Sequence, residues 1–289
     1  MHTSGSDGSI VTDAVRAAAR RGEPDRYLAA LLAPRRVRGD LAALAAVSAE
    51  LARVVQIVSE PMVGEIRLQW WRDAVETVAR GESAAHPIAD ALGGAIRRHG
   101  LPVALVQSLI DARSIELGME PAADEQGPGA YLDAAEATLF RLALLVLGVP
   151  EAPVQDAVVT AAARAYGVAR RPGRLLLAVH APEVPLPCPH AGGTDGRSEP
   201  VPASEQGGDA AARHALAVLR QGARSALAAA RTGTQKMEPR SLPALLPLVM
   251  VEPYLRAQER VADPLRDVAD VAPLTRVWRI WWANMRGRI

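Results

Sequence analysis

The 289-residue chain lacks several things that would announce a function. It has one cysteine, Cys188, which excludes an internal disulfide framework and any cysteine-built zinc site. A reducing, cytoplasmic setting is compatible with that count. Lys236 is the one lysine, so the basic side is almost all arginine, a bias that GC-rich coding produces as readily as function does. The 33 basic and 32 acidic residues leave a net charge of +1. Such a chain has no global field to draw it onto nucleic acid, and no nucleic-acid partner is expected. Aromatic residues make up only 3%, so alanine, leucine and valine must fill the core, a mixture that favours helices and argues against an all-β sandwich. No run of about 18 apolar residues exists to cross a membrane. The longest apolar stretches, 142–150 and 242–251, are short, and the second carries Pro243 and Pro247. Residues 1–9 are polar and lack the basic-then-apolar build of a signal peptide, which reads as a flexible start. The expectation is a cytoplasmic protein, or one that rests peripherally on the inner membrane.

What is present is helical punctuation almost from end to end. Ile10 to Arg21 is amphipathic and closed by Gly22, and Pro24 opens the next helix in its first turn. Asp40 caps or leads a longer helix whose Leu41, Leu44, Val47, Leu51, Val54 and Val58 recur at three and four. Pro61 starts another, ended near Gly81. Further helices are predicted over about 84–99, 102–119, 128–148, 151–179, 208–232, 241–260 and 264–287, with Gly100, Gly148 and Gly233 as C-caps. Period-two strands, internal repeats and long heptad series are absent. Residues 181–208 are rich in Pro, Gly and Ser and read as a long mobile surface loop. The prediction is one all-α domain over 10–289 with that excursion.

Residues 44–73 read LAAVSAELARVVQIVSEPMVGEIRLQWWRD. Arg67, Trp70, Trp71, Arg72 and Asp73 match an R-x-x-W-W-R-[DE] helix, and here the chain resembles the squalene/phytoene synthase family. Glu50-Leu51-Ala52, Val58-Ser59-Glu60-Pro61 and Gly64-Glu65-Ile66-Arg67 resemble more closely a degenerate branch of it. That branch holds bacterial phytoene-synthase-like proteins and a mitochondrial assembly factor for respiratory complex I. The ending, with Trp278, Trp281 and Trp282 among arginines, is similar as well.

The resemblance implies an isoprenoid-synthase-like helical bundle. The family's enzymes join two prenyl diphosphates head to head and hold magnesium on two aspartate-rich motifs. Departing pyrophosphate is a dense negative charge, so neutral residues cannot replace those carboxylates. Laid on this chain, the first motif falls on Ala52, Arg53 and Gln56. The second follows Gly167, Val168 and Ala169, and its aspartates belong around 178–182, where no carboxylate stands and Glu183 is the nearest acid. Pro172 should also kink or end that helix. Both metal motifs therefore read as dismantled, with no cofactor expected and magnesium only if catalysis survives elsewhere. Asp111 with Glu116, and Asp133 with Glu136, are the other acid pairs considered, and both read as solvated helix faces.

Glu50, Arg53, Glu60, Glu65, Arg67, Arg72 and Asp73 fall on two adjacent helices. They form an ion network in the old cavity, a metal-free anion site, or ordinary surface salt bridges. Trp70 and Trp71 suit either the core or a binding face. On the last helix Trp278 and Trp282 share a face and Trp281 lies away from it. Core packing, a membrane interface and a partner patch are all consistent with it. The first functional reading is a non-catalytic assembly or scaffold factor that binds a protein partner on the 44–76 face, by resemblance of the complex I type. The alternatives are a prenyl diphosphate synthase and a lipid- or isoprenoid-binding protein.

Overall fold

A computed structural model of the chain describes residues 12–58, 60–117, 130–150, 152–170, 203–261 and 271–289, and among them there are helices and no strands. In chain order these are α1 (Asp13–Gly22), α2 (Pro24–Leu32), α3 (Arg35–Ile57), α4 (Pro61–Ala79), α5 (Pro87–His99) and α6 (Val103–Glu116). There follow α7 (Ala130–Val146), α8 (Pro153–Arg170), α9 (Ala203–Thr234), α10 (Leu242–Leu245), α11 (Val251–Arg260) and α12 (Pro273–Arg286). Short 3₁₀ turns at Pro239–Ser241 and Leu246–Met250 flank α10. The starts follow local chemistry. Thr12 caps α1 by accepting from Val15 N–H at 3.3 Å, and prolines stand in the first turn of α2, α4, α5 and α12, where no amide donor is needed. Gly100 and Gly287 end α5 and α12 in the left-handed region, at φ +60° and +66°.

α3 is buried on nearly all sides from Val37 to Val54, because alanines line the faces its leucines and valines leave. A helix apolar all round belongs at the centre, and α1, α2, α4, α5, α6 and α7 pack around it. α8 joins α7 to α9, and α12 lies across the Leu246–Met250 turn and α2. One apolar core runs through all of them.

Several expectations shift. Asp40 is inside α3, not at its start: Pro34 precedes the helix, and Asp40 is buried because Arg98 and His99 of α5 reach it, the latter at 2.8 Å. The single helix over 241–260 is broken, since Pro243 and Pro247 remove amide donors and leave short turns before α11. Gly233 caps nothing. It lies within α9 because a Cβ there would stand 2.3 Å from Val158 Cγ2, so its small size lets α9 and α8 approach. α9 begins at Ala203, so 203–208 are helical and not loop. The rest of the predicted loop, the flexible start, Pro172, the expected second aspartate motif and Cys188 lie outside the described residues.

Candidate functional site

Charged groups meet at the centre of the bundle, and of the residues singled out from the sequence only Glu116 and Glu136 are among them. Glu23, just before α2, accepts from Arg26 Nη1 at 2.9 Å and from Ser48 Oγ of α3 at 3.0 Å, and Arg170 of α8 binds the same carboxylate and Gly22 O. Arg26 Nη2 donates to Glu136 of α7 at 2.6 Å, while its guanidinium lies 4.8 Å from the Tyr166 ring centre. Asp25 accepts from the hydroxyls of Tyr166 and Tyr254 at 2.8 Å each and pairs with Arg276 of α12 at 2.8 Å. Arg113 and Glu116 of α6 pair with each other in the interior. Gln258 of α11 donates to Ala169 O at 2.6 Å.

The electrostatics follow from burial and neighbours. Burial works against the Arg26 charge, but Glu136 and Glu23 outweigh it and hold the group more firmly protonated than a free guanidinium. Arg170 is held the same way: burial opposes its charge and Glu23 foremost sustains it. Desolvation dominates at Arg113 and pushes it down. Burial, ahead of Asp25, drives the Tyr254 phenol up, and burial does the same at Tyr166. Among the described residues Arg26, Arg113, Arg170 and Arg276 pair with Glu23, Asp25, Glu116 and Glu136, so each of these buried charges has an opposite charge beside it. Beside Arg26 the helices leave a cavity of about 20 Å³, lined by Leu41, Leu44, Leu139 and Phe140. That is room for about one water.

The 50–73 residues lie outside this centre. Glu50 and Arg53 form an exposed pair at 3.4 Å, Glu60 is exposed before α4, and Asp73 accepts from Gln69 at 2.9 Å. Arg67 is exposed and makes no ion pair among the described residues. Arg72 ties α4 to α6, reaching Glu65 at 2.7 Å, Asp111 at 3.0 Å and Ser114 at 2.7 Å. Its half-buried position lowers its hold on the proton, but those carboxylates more than compensate. Of the three readings of these residues, the pairs formed are surface salt bridges, with Arg72 as a clamp between α4 and α6, while Glu136, expected on a solvated face, is in the core. Glu116 is likewise interior, whereas Asp111 is exposed; the side chain of Asp133 lies outside the description. Trp71 is buried, while Trp70 is 43% exposed, and both meet the His86 ring edge-on at 5.3 Å. Met62, Val63, Ile66 and Trp70 form an exposed apolar stripe along α4.

On α12 the three indoles come together and stay outside. Trp278 is 59% exposed, Trp281 and Trp282 are each 40% exposed, and their ring centres are 5.3 to 6.1 Å apart. The inward side of α12 carries Ile280, Ala283 and Arg276, so neither core packing of Trp278 and Trp282 nor the separation of Trp281 holds. Tryptophan side chains reach far enough to bridge the angle between their Cβ directions.

Positions 52, 53 and 56, onto which the resemblance lays the first aspartate motif, offer magnesium no carboxylate. Ala52 is buried without a polar atom, Arg53 points outward to Glu50, and Gln56 is exposed and neutral. Among the described residues no three His, Cys, Asp or Glu side chains converge on a metal-sized point. The interior network could have been suspected from Glu23-Pro24-Asp25-Arg26 and from Glu136, an acid in the mostly apolar stretch from Ala134 to Leu147. Charges inside an apolar face are the signal, but their partners lie up to 251 residues away.

Compared with known proteins, the squalene/phytoene synthase family profile matches residues 19–278, and the chain belongs to that family. It is similar to NADH dehydrogenase (ubiquinone) complex I assembly factor 6 of Rattus norvegicus, 33% identical over 132 residues, and to those of Homo sapiens and Bos taurus, 30% identical. Each match spans 46% of this chain and 40% of the relative, so the chain covers well under half the length of these curated relatives. In structure it resembles squalene synthase HpnC from Alicyclobacillus acidocaldarius, with TM-score 0.60, 18% identity, and coverage of 85% of this chain and 92% of that one. That likeness shows the fold: an all-α isoprenoid-synthase bundle.

Proposed function

We propose that this member of the squalene/phytoene synthase family is a non-catalytic assembly or scaffold factor, which holds a protein partner on the α4 face. One observation carries the reading. Among the described residues the interior is occupied by paired arginines and carboxylates, and the cavity beside Arg26, about 20 Å³, is too small for a prenyl chain. A diphosphate needs an uncompensated positive site and a metal, and Ala52, Arg53 and Gln56 supply neither. The same cavity argues against the isoprenoid-binding reading. The similarity to complex I assembly factors makes a respiratory-complex subunit the class of partner. The exposed stripe Met62, Val63, Ile66 and Trp70 supports α4 as the contact face, because contiguous apolar surface of this kind marks interaction sites. A cytoplasmic setting, peripheral to the inner membrane, belongs to this reading. Among the described residues no helix is long and apolar enough to cross a membrane.

The test has two arms on the full chain. Magnesium with labelled farnesyl or geranylgeranyl diphosphate should release no pyrophosphate. A photo-crosslinker at Ile66 should trap one discrete protein in cells, and Trp70→Asp should abolish the adduct while leaving Tm within about 2 °C. Turnover, or crosslinks no different from those at a distant exposed site, overturns the reading.

A further inference from the structure

α12 is inverted relative to an ordinary packed helix. Its inward face offers Ile280 and Ala283, while Leu274, Val277, the three tryptophans and Met285 remain exposed. Its charges are of one sign: residues 271–289 contain Arg276, Arg279, Arg286 and Arg288 and no acid. Arg276 turns inward to Asp25. The other three, with Arg231 from the end of α9, wall a cleft of about 330 Å³ whose floor includes Val249, Trp278 and Trp282.

None of those four arginines has a carboxylate within ion-pair distance among the described residues. The nearby acids of α11 are already used. Glu252 is bound by Arg224 and Arg256, at 3.2 and 2.9 Å, and Glu259 by Arg224 at 2.8 Å. Arg286 lies 4.5 Å from the Trp282 ring centre, so one indole helps to orient a guanidinium. A protein with net charge of only +1 thus gathers at one end exposed indoles and arginines that form no ion pair among the described residues.

We propose that this end is a docking surface for an anionic phospholipid bilayer, with a lipid phosphate in the arginine-walled cleft and the indoles at head-group level. The occupant follows from the chemistry. Guanidinium recognises phosphate oxygens by paired N–H donors, and indole, apolar with one polar edge, favours the membrane interface over either phase alone. A nucleic acid would demand a longer basic track, and an acidic protein would leave the exposed Leu274 and Met285 unused. The inference deepens the peripheral placement proposed above. It concerns a different helix from the partner face, so either can fail alone.

The test is co-sedimentation of the full chain with vesicles of phosphatidylcholine alone or of phosphatidylcholine and phosphatidylglycerol at 3:1. Binding should require the anionic lipid and weaken at high salt. Each arginine near an anionic surface contributes about fivefold in partition, so Arg279→Gln with Arg286→Gln should reduce binding about thirtyfold. Both side chains are exposed and Tm should not move. Trp278→Ser should weaken binding in a manner that salt does not mimic. Equal binding to neutral vesicles, no binding, or an unchanged double variant overturns the proposal. So does competition by millimolar glycerol phosphate, which would make the cleft a site for a free phosphate ester, or capture of a protein by this face without vesicle binding.

Discussion

Removing Asp25 tests whether the interior charges are structural. The carboxylate is fully buried and serves three partners at once, the Tyr166 and Tyr254 hydroxyls and Arg276, each at 2.8 Å. Asp25→Ala takes a buried carboxylate partner from Arg276 and the shared acceptor from two phenols. Breaking a buried ion pair from one side costs about 3–5 kcal/mol. Unfolding entropy of about 2.1 cal/mol/K per residue implies on the order of 0.6 kcal/mol/K for a chain of this size. The loss therefore corresponds to about 5–8 °C in Tm, read by calorimetry or circular dichroism. Glu50→Ala is the internal control, because its partner Arg53 is exposed at 3.4 Å and such pairs contribute little, so Tm should move by under about 2 °C. The reasoning is refuted if Asp25→Ala unfolds with Glu50→Ala or above the parent. A gain in stability would mean that Asp25 is held at a cost for chemistry, as functional groups often are.

Two further outcomes follow from the packing and the phenols. Gly233→Ala should destabilise by about 1–3 kcal/mol despite alanine's better helix propensity, because the new methyl would meet Val158 Cγ2 at 2.3 Å. Val158→Ala in the same chain should restore part of the loss, and additive effects in that double-mutant cycle would refute the clash. Tyr166 and Tyr254 have phenols driven up by burial, so their contribution to stability is complete below the ordinary phenol value of 10.0 and is lost as pH rises above it. In an alkaline absorbance titration two of the four tyrosines should ionise only with loss of helical circular dichroism, and smooth ionisation in the folded state would contradict their burial.

Where the sequence misled, tertiary neighbours decided. Asp40 looks like a helix start because aspartate caps helices, but it sits inside α3 since Arg98 and His99 arrive from α5. Gly233 looks like a C-cap because glycine ends helices, and its real constraint is Val158 across the α8–α9 contact. The 50–73 charges were legible as residues of interest, yet Arg72 alone bridges two helices, through Asp111 and Ser114. Glu23, Asp25 and Glu136 stand out locally as acids in apolar surroundings, but which partner each meets, out to Arg276, carries no local pattern, because ion-pair partners on different helices need no fixed spacing.

By itself the sequence determined the helical class, the helix starts at Pro24 and Pro61, the leucines and valines that recur at three and four along α3, and the words in 44–73 that carry the family. Those are local properties: backbone propensity, amide donors that proline removes, and side-chain periodicity along one helix. The same is true of the carboxylates missing at 52, 53 and 56, which is a matter of residue identity. Only the tertiary structure decided that buried charges pair across helices at the centre, that Trp70 faces out while Trp71 faces in, and that three indoles cluster outside on α12. Each depends on which helices meet and on whether a neighbour supplies a counter-charge or a surface, and neither is written within a single helix.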